Sequence, residues 1–159
     1  MMETKATTGE VITALKKSYD MELETVINYL ANSVHLDGLL AMEVRESLRQ
    51  DMTDELGHAT RIAERLKILG APIPGSLEIR FSQKTLQPPA ETTDVLSIIK
   101  GVIDAEDAAI AQYSKIIEMC DGHDFVTQDL VIDLLADEEK HRREFVGFLK
   151  DLEHRPSIK

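Results

Sequence analysis

The chain has 159 residues, 43% hydrophobic and 30% charged, a length that fits one domain with a sizeable core and an apolar fraction too high for disorder. Its 29 acidic against 18 basic residues give a net charge of −11, which disfavours a nucleic acid or an anionic membrane as partner and suits a protein that attracts cations. The single cysteine, Cys120, excludes an internal disulfide framework and any four-cysteine zinc or iron–sulfur site, and no apolar run reaches the roughly 18–20 residues of a membrane span.

In chain order, the opening MMETKATTGE lacks the apolar core of a secretory signal, so a cytoplasmic location is expected. Thr7 and Glu10 have the spacing of a capping box, and a first helix is predicted from about Gly9 to His35. A break near Asp37–Gly38 leads into a second helix, from about Leu39 to Leu69, which Gly70, Pro72 and Pro74 stop. The stretch from Ala71 to Glu91 holds four of the five prolines and no helical period, with Leu77–Phe81 as a candidate extended piece. A third helix is predicted from Thr92–Asp94 to about Cys120. After the turn at Asp121–Gly122, Asp124 caps a fourth that runs to about Glu153, ahead of Pro156. Two helical hairpins joined by about twenty residues make an all-α, antiparallel four-helix bundle with one long crossover, expected as a single domain over 1–159 with a tail from about 154.

The inward face of each helix follows from alternating three- and four-residue steps. Each such stripe carries one glutamate among apolar neighbours: Glu22, Glu55, Glu106 and Glu138. Glu24, two residues from Glu22, points away from the stripe. At about 1.5 Å per residue, all four lie roughly 21–25 Å from their hairpin turns, which puts them at one level of the bundle. His58 and His141 each follow a glutamate by three residues and can aim at the same point. The halves also repeat. Glu22–Tyr29 and Glu106–Tyr113 share one spacing, and Asp54-Glu55-Leu56-Gly57-His58 mirrors Asp137-Glu138-Glu139-Lys140-His141.

A carboxylate taken out of water costs several kcal/mol, against a net domain stability of about 5–15 kcal/mol. Four facing carboxylates must therefore share protons, pair with cations or bind metal, and Arg142 is the one cation near the stripes. Four glutamates and two neutral imidazoles suit two divalent first-row ions, iron or manganese, whose charge they balance. A lone Glu-x-x-His is common on solvated helices. Two of them, each with a partner glutamate at matching depth, are much harder to place in an ordinary core.

At these residues the sequence resembles the ferritin-like superfamily, over about residues 9–153, and most closely its bacterioferritin branch, since both the second and fourth helices carry Glu-x-x-His. The resemblance implies that Glu22, Glu55, His58, Glu106, Glu138 and His141 are both the metal ligands and the catalytic residues, with Glu55 and Glu138 bridging two iron ions per chain. It implies a ferroxidase that oxidises Fe(II) with O2 or H2O2 for iron storage or detoxification. A non-storage di-metal peroxidase resembling rubrerythrin or manganese catalase is the alternative, and a non-enzymatic helical adaptor a third reading. Leu56 stands where bacterioferritins place a haem-ligating methionine, and Met52 reads as core filler, so no haem is expected. The 18 residues after His141 leave no room for the short fifth helix of 24-subunit cages. Such a site in a shorter chain also resembles the Dps-like proteins that form twelve-subunit shells, and this resemblance implies a homo-oligomer, with a twelve-subunit shell favoured over a 24-mer or a dimer. Neither a nucleic-acid nor a membrane partner is expected. Tyr29, Tyr19 and Tyr113 are candidates to hydrogen-bond a ligand.

Overall fold

The structure, a computed structural model, describes residues 5–154; residues 1–4 and the tail from 155, Pro156 included, lie outside the described residues. Helix α1 runs Thr8–His35, α2 Met42–Ile68, α3 Val95–Cys120 and α4 Phe125–His154, with no strand among the described residues. The capping box forms: the Glu10 amide donates to Thr7 Oγ1, and Glu10 Oε2 accepts from the Thr7 amide at 2.8 Å. Asp94 and Asp124 accept amide bonds from Ser97 and Thr127, each at 3.1 Å, and start α3 and α4. The second helix begins three residues later than its pattern predicts, because Leu39–Ala41 is wound as a 3-10 turn after Gly38. Gly38 is at φ 95, in the left-handed region where a side chain would be strained. Among the described residues no helix is long and apolar enough to cross a membrane.

Each hairpin packs its two helices side by side, and α1 also meets α3 while α2 meets α4. Two opposite faces of the bundle are thus α1–α3 and α2–α4. The core is in two parts. One cluster gathers Tyr29, Leu48, Val102 and Phe145 with their neighbours, the other Leu15, Ile62, Ile116 and Val131. Along every helix the inward glutamate falls between the two clusters, so apolar packing on both sides fixes a polar layer at mid-bundle.

The crossover is irregular. Leu77, expected in an extended piece, sits in a turn closed by the Glu78 amide on the Gly75 carbonyl at 2.9 Å, and is fully exposed. Further on the segment is strapped down: Leu86 is fully buried in the first cluster, and its carbonyl accepts from Asn32 Nδ2 at 2.9 Å. Glu24 does point away from the helix stripe, as its position predicts, yet it is buried, because its carboxylate accepts the amides of Ser82 and Gln83 at 2.8 and 2.7 Å. Crossover backbone rests directly on α3 at Gly101, where an added Cβ would lie 2.3 Å from the Thr85 carbonyl oxygen. Backbone cannot give way as a side chain does. Gly101→Ala is therefore expected to cost about 1–3 kcal/mol, read as a lower denaturation midpoint at unchanged m-value.

Candidate metal centre

Glu22, Glu55, His58, Glu106, Glu138 and His141 are all buried and converge in the mid-bundle layer. They form two groups, one of Glu22, Glu55, His58 and Glu138, the other of Glu55, Glu106, Glu138 and His141; within each, one donor atom per residue lies within 4.8 Å of the others. Glu55 and Glu138 belong to both. His58 Nδ1 lies 2.9 Å from Glu138 Oε1 and 3.4 Å from Glu55 Oε2, while His141 Nδ1 lies 3.1 Å from Glu55 Oε1 and 3.5 Å from Glu138 Oε2. The two imidazoles stack with centroids 6.1 Å apart.

The halves mirror each other outward as well. Tyr29 on α1 donates to Glu106 on α3 at 2.5 Å, and Tyr113 on α3 donates to Glu22 on α1. Each tyrosine thus serves the glutamate of the opposite helix, not the one a heptad away on its own. Tyr19 only packs, partly buried, against the second apolar cluster. The outer nitrogen of His58 faces Asp137 Oδ2 at 3.4 Å, and that of His141 faces Asp54 Oδ2 at 3.4 Å. Such outer carboxylates fix the ring and its tautomer, leaving Nδ1 for the interior. Sequence reasoning gave these aspartates no role, although the repeat that pairs Asp54 with Asp137 contains the signal. It also missed Asp51, buried one turn before Glu55 with its Oδ1 3.7 Å from His141 Nε2. The symmetry breaks here, since the α4 counterpart of Asp51 is the buried Leu134.

Arg142, the one candidate cation near the stripes, does not neutralise the layer. It projects outward, where its Nε donates to Asp107 Oδ1 at 2.5 Å, because His141 takes the inward position of that turn. In the metal-free protein the histidines take the place of a cation. Burial pulls the His58 and His141 pKa values down, but the surrounding carboxylates outweigh it and push them up to about 12 and about 10. Burial likewise raises Glu138, and the two imidazoles outweigh that too, bringing it down to about 2. Glu55 and Glu106 are held well above the usual carboxylate range, first by burial and then by neighbouring glutamates.

The donor set fits a pair of divalent ions. Both Glu138 oxygens and His58 Nδ1 are buried without a well-aligned hydrogen bond and are held by ion pairing alone, Oε1 with His58 Nδ1 at 2.9 Å and Oε2 with His141 Nδ1 at 3.5 Å. Buried polar atoms short of aligned hydrogen bonds are costly, and these three belong to the two donor groups that share Glu138. Cys120, by contrast, is a buried thiol in the second apolar cluster, and Leu56 is half exposed.

Residues 12–154 match the family described as Ferritin-like domain. The chain belongs to that family. Among ferritin-like relatives it is 30% identical over 134 residues to a bacterioferritin of Desulfovibrio desulfuricans, covering 84% of this chain and 70% of that one. A ferritin-like diiron-carboxylate protein of Bacillus anthracis superposes with a TM-score of 0.79 at 25% identity, over 89% of this chain and 96% of the other. The fold is also that of a dodecameric thioferritin, the bacterioferritin-related protein of Bacteroides fragilis, with a TM-score of 0.79, 22% identity and coverage of 93% and 89%.

Proposed function

We propose that this ferritin-like chain is a ferroxidase, with Fe(II) as substrate at two sites walled by Glu22, Glu55, His58, Glu106, Glu138 and His141. The observation that carries the reading is the sharing of Glu55 and Glu138 between the two donor groups, with both Glu138 oxygens buried and facing the two imidazoles without an aligned hydrogen bond. Those two glutamates bridge; Glu22 with His58, and Glu106 with His141, complete the two ends. Manganese fits the same donors, and iron is the metal proposed on the bacterioferritin relationship.

Two Fe(II) ions each give up one electron, and one peroxide takes both with two protons to become two waters. With dioxygen the same two electrons and two protons give hydrogen peroxide. The protein's share is to hold the ions close enough for a paired transfer, and to hold the ligands still through Tyr29, Tyr113, Asp54 and Asp137. Paired transfer avoids the hydroxyl radical that a single Fe(II) makes from peroxide. Iron-loaded protein mixed with limiting H2O2 should therefore oxidise two Fe(II) per peroxide with little spin-trapped radical. Spin-trapped radical at the level that free iron gives under the same conditions would contradict the proposal.

The chain leaves Ile27, Leu30 and Val34 exposed on one stripe of α1, an apolar strip that suits contact with a second copy. We take a cytoplasmic homo-oligomer as the working form, with a twelve-subunit shell, the state named for the B. fragilis relative, as the favoured assembly. Iron storage or detoxification follows from such a shell.

A further inference from the structure

The glutamates of the centre wall a cavity of about 10 Å³ whose outer side is formed by Met21, Gln83 and Ala105, on the α1–α3 face. The same three residues also line a solvent-open groove of about 770 Å³. Met21, Gln83 and Ala105 are thus the wall that cavity and groove share, the neck between the two. Four cations, Lys16, Lys17, Arg80 and Lys84, line the groove against two carboxylates, Asp20 and Asp104. On a chain of net charge −11 that is a local reversal of sign, and it disfavours a divalent cation at this mouth. The opposite face presents Asp51, Asp54 and Asp137 outside the two histidines.

Of the three neck residues only Gln83 comes from the crossover, and it is held at both ends of its side-chain amide. Its Nε2 donates to Thr25 Oγ1 at 2.6 Å, and its Oε1 accepts from Asn28 Nδ2 at 2.9 Å. Its backbone amide is fixed by the buried Glu24. A side chain tied this way spans the neck in one position, and a space of about 10 Å³ is on the scale of a single water.

We propose that this neck is the passage of the oxidant, a small uncharged molecule of the size of dioxygen or hydrogen peroxide, and that Gln83 sets the size of what passes. The inference rests on the di-iron reading above. It assigns the metal ions to the acidic α2–α4 face and a selecting residue to a segment that carries no metal ligand. Neutral oxidants are indifferent to the cationic mouth, whereas Fe(II) is not.

The test uses the full chain loaded anaerobically with Fe(II), its iron content measured first, then mixed with H2O2 or with tert-butyl hydroperoxide. Each accepts two electrons and two protons, giving two waters or tert-butanol and water. In Gln83→Ala the rate with the bulky peroxide relative to H2O2 should rise at least about tenfold. In Gln83→Met, which keeps the length of the side chain, the ratio should stay within about twofold of the parent. An unchanged ratio in Gln83→Ala at intact iron content, or an equal rise in both variants, would overturn the role of Gln83. Failure of the unaltered protein to load iron would overturn the di-iron reading beneath it, and the two failures are told apart by the iron content.

Discussion

Replacing Glu138 by alanine is expected to lose both metal ions, whereas Glu22→Ala or Glu106→Ala loses one and keeps the other. The asymmetry follows from membership: Glu138 belongs to both donor groups, Glu22 and Glu106 to one each. Removing an outer partner of a metal ligand costs about 10–100-fold in affinity, so loss of a carboxylate that binds directly costs more than roughly 100-fold. Calorimetric titration with Mn(II), which needs no exclusion of oxygen, should show two equivalents per chain for the parent, about one for Glu22→Ala and none for Glu138→Ala. Equal losses in all three variants would mean that the six residues act as one undivided cluster.

Metal uptake is also expected to release protons and to strengthen steeply as pH rises. The sign follows from the metal-free state. His58 and His141, pushed up to about 12 and about 10, carry protons at neutral pH, and Glu55 and Glu106 are held toward their neutral forms. A ligating imidazole or carboxylate must be unprotonated, so each ion displaces protons on binding. By linkage, every proton released makes the binding constant rise about tenfold per pH unit, and the effect fades only above the histidine pKa values. Titration in two buffers of different ionisation enthalpy counts the protons directly. Uptake without proton release would mean that the buried imidazoles are neutral before metal arrives, and would remove their part in balancing Glu138.

The six converging side chains were readable because helix periodicity alone decides which residue faces inward, and because depth from a hairpin turn is simple arithmetic. The tyrosines were half readable: a buried hydroxyl at stripe position 29 or 113 must find a partner, but which helix supplies it depends on how α1 and α3 rotate against each other. Asp54 and Asp137 lie beside the stripe, where one helix's edge meets the neighbour's histidine, so no single-helix pattern marks them. Arg142, next to the inward His141, falls on the outer side of its helix and pairs there with Asp107 of α3. Glu24 and Gln83 were least legible. Their contacts run to a crossover without period, whose path is set by Leu86 burying itself and by the absence of a side chain at Gly101.

Under the proposed function, the outer carboxylates act through position as well as through charge. Each histidine aims one nitrogen at the interior because the other is engaged from outside, and each terminal glutamate is steadied by a tyrosine from across the bundle. A paired two-electron transfer needs both ions in place at once, so a centre whose ligands are set before the metal arrives loses less binding energy to rearrangement.

The most direct test of the account is an anaerobic titration of metal-free protein with Fe(II), reading bound iron per chain. Saturation at two equivalents is expected, with Glu55→Ala and Glu138→Ala binding neither ion. Saturation at one, or no saturable binding, would contradict a paired centre at the middle of the bundle.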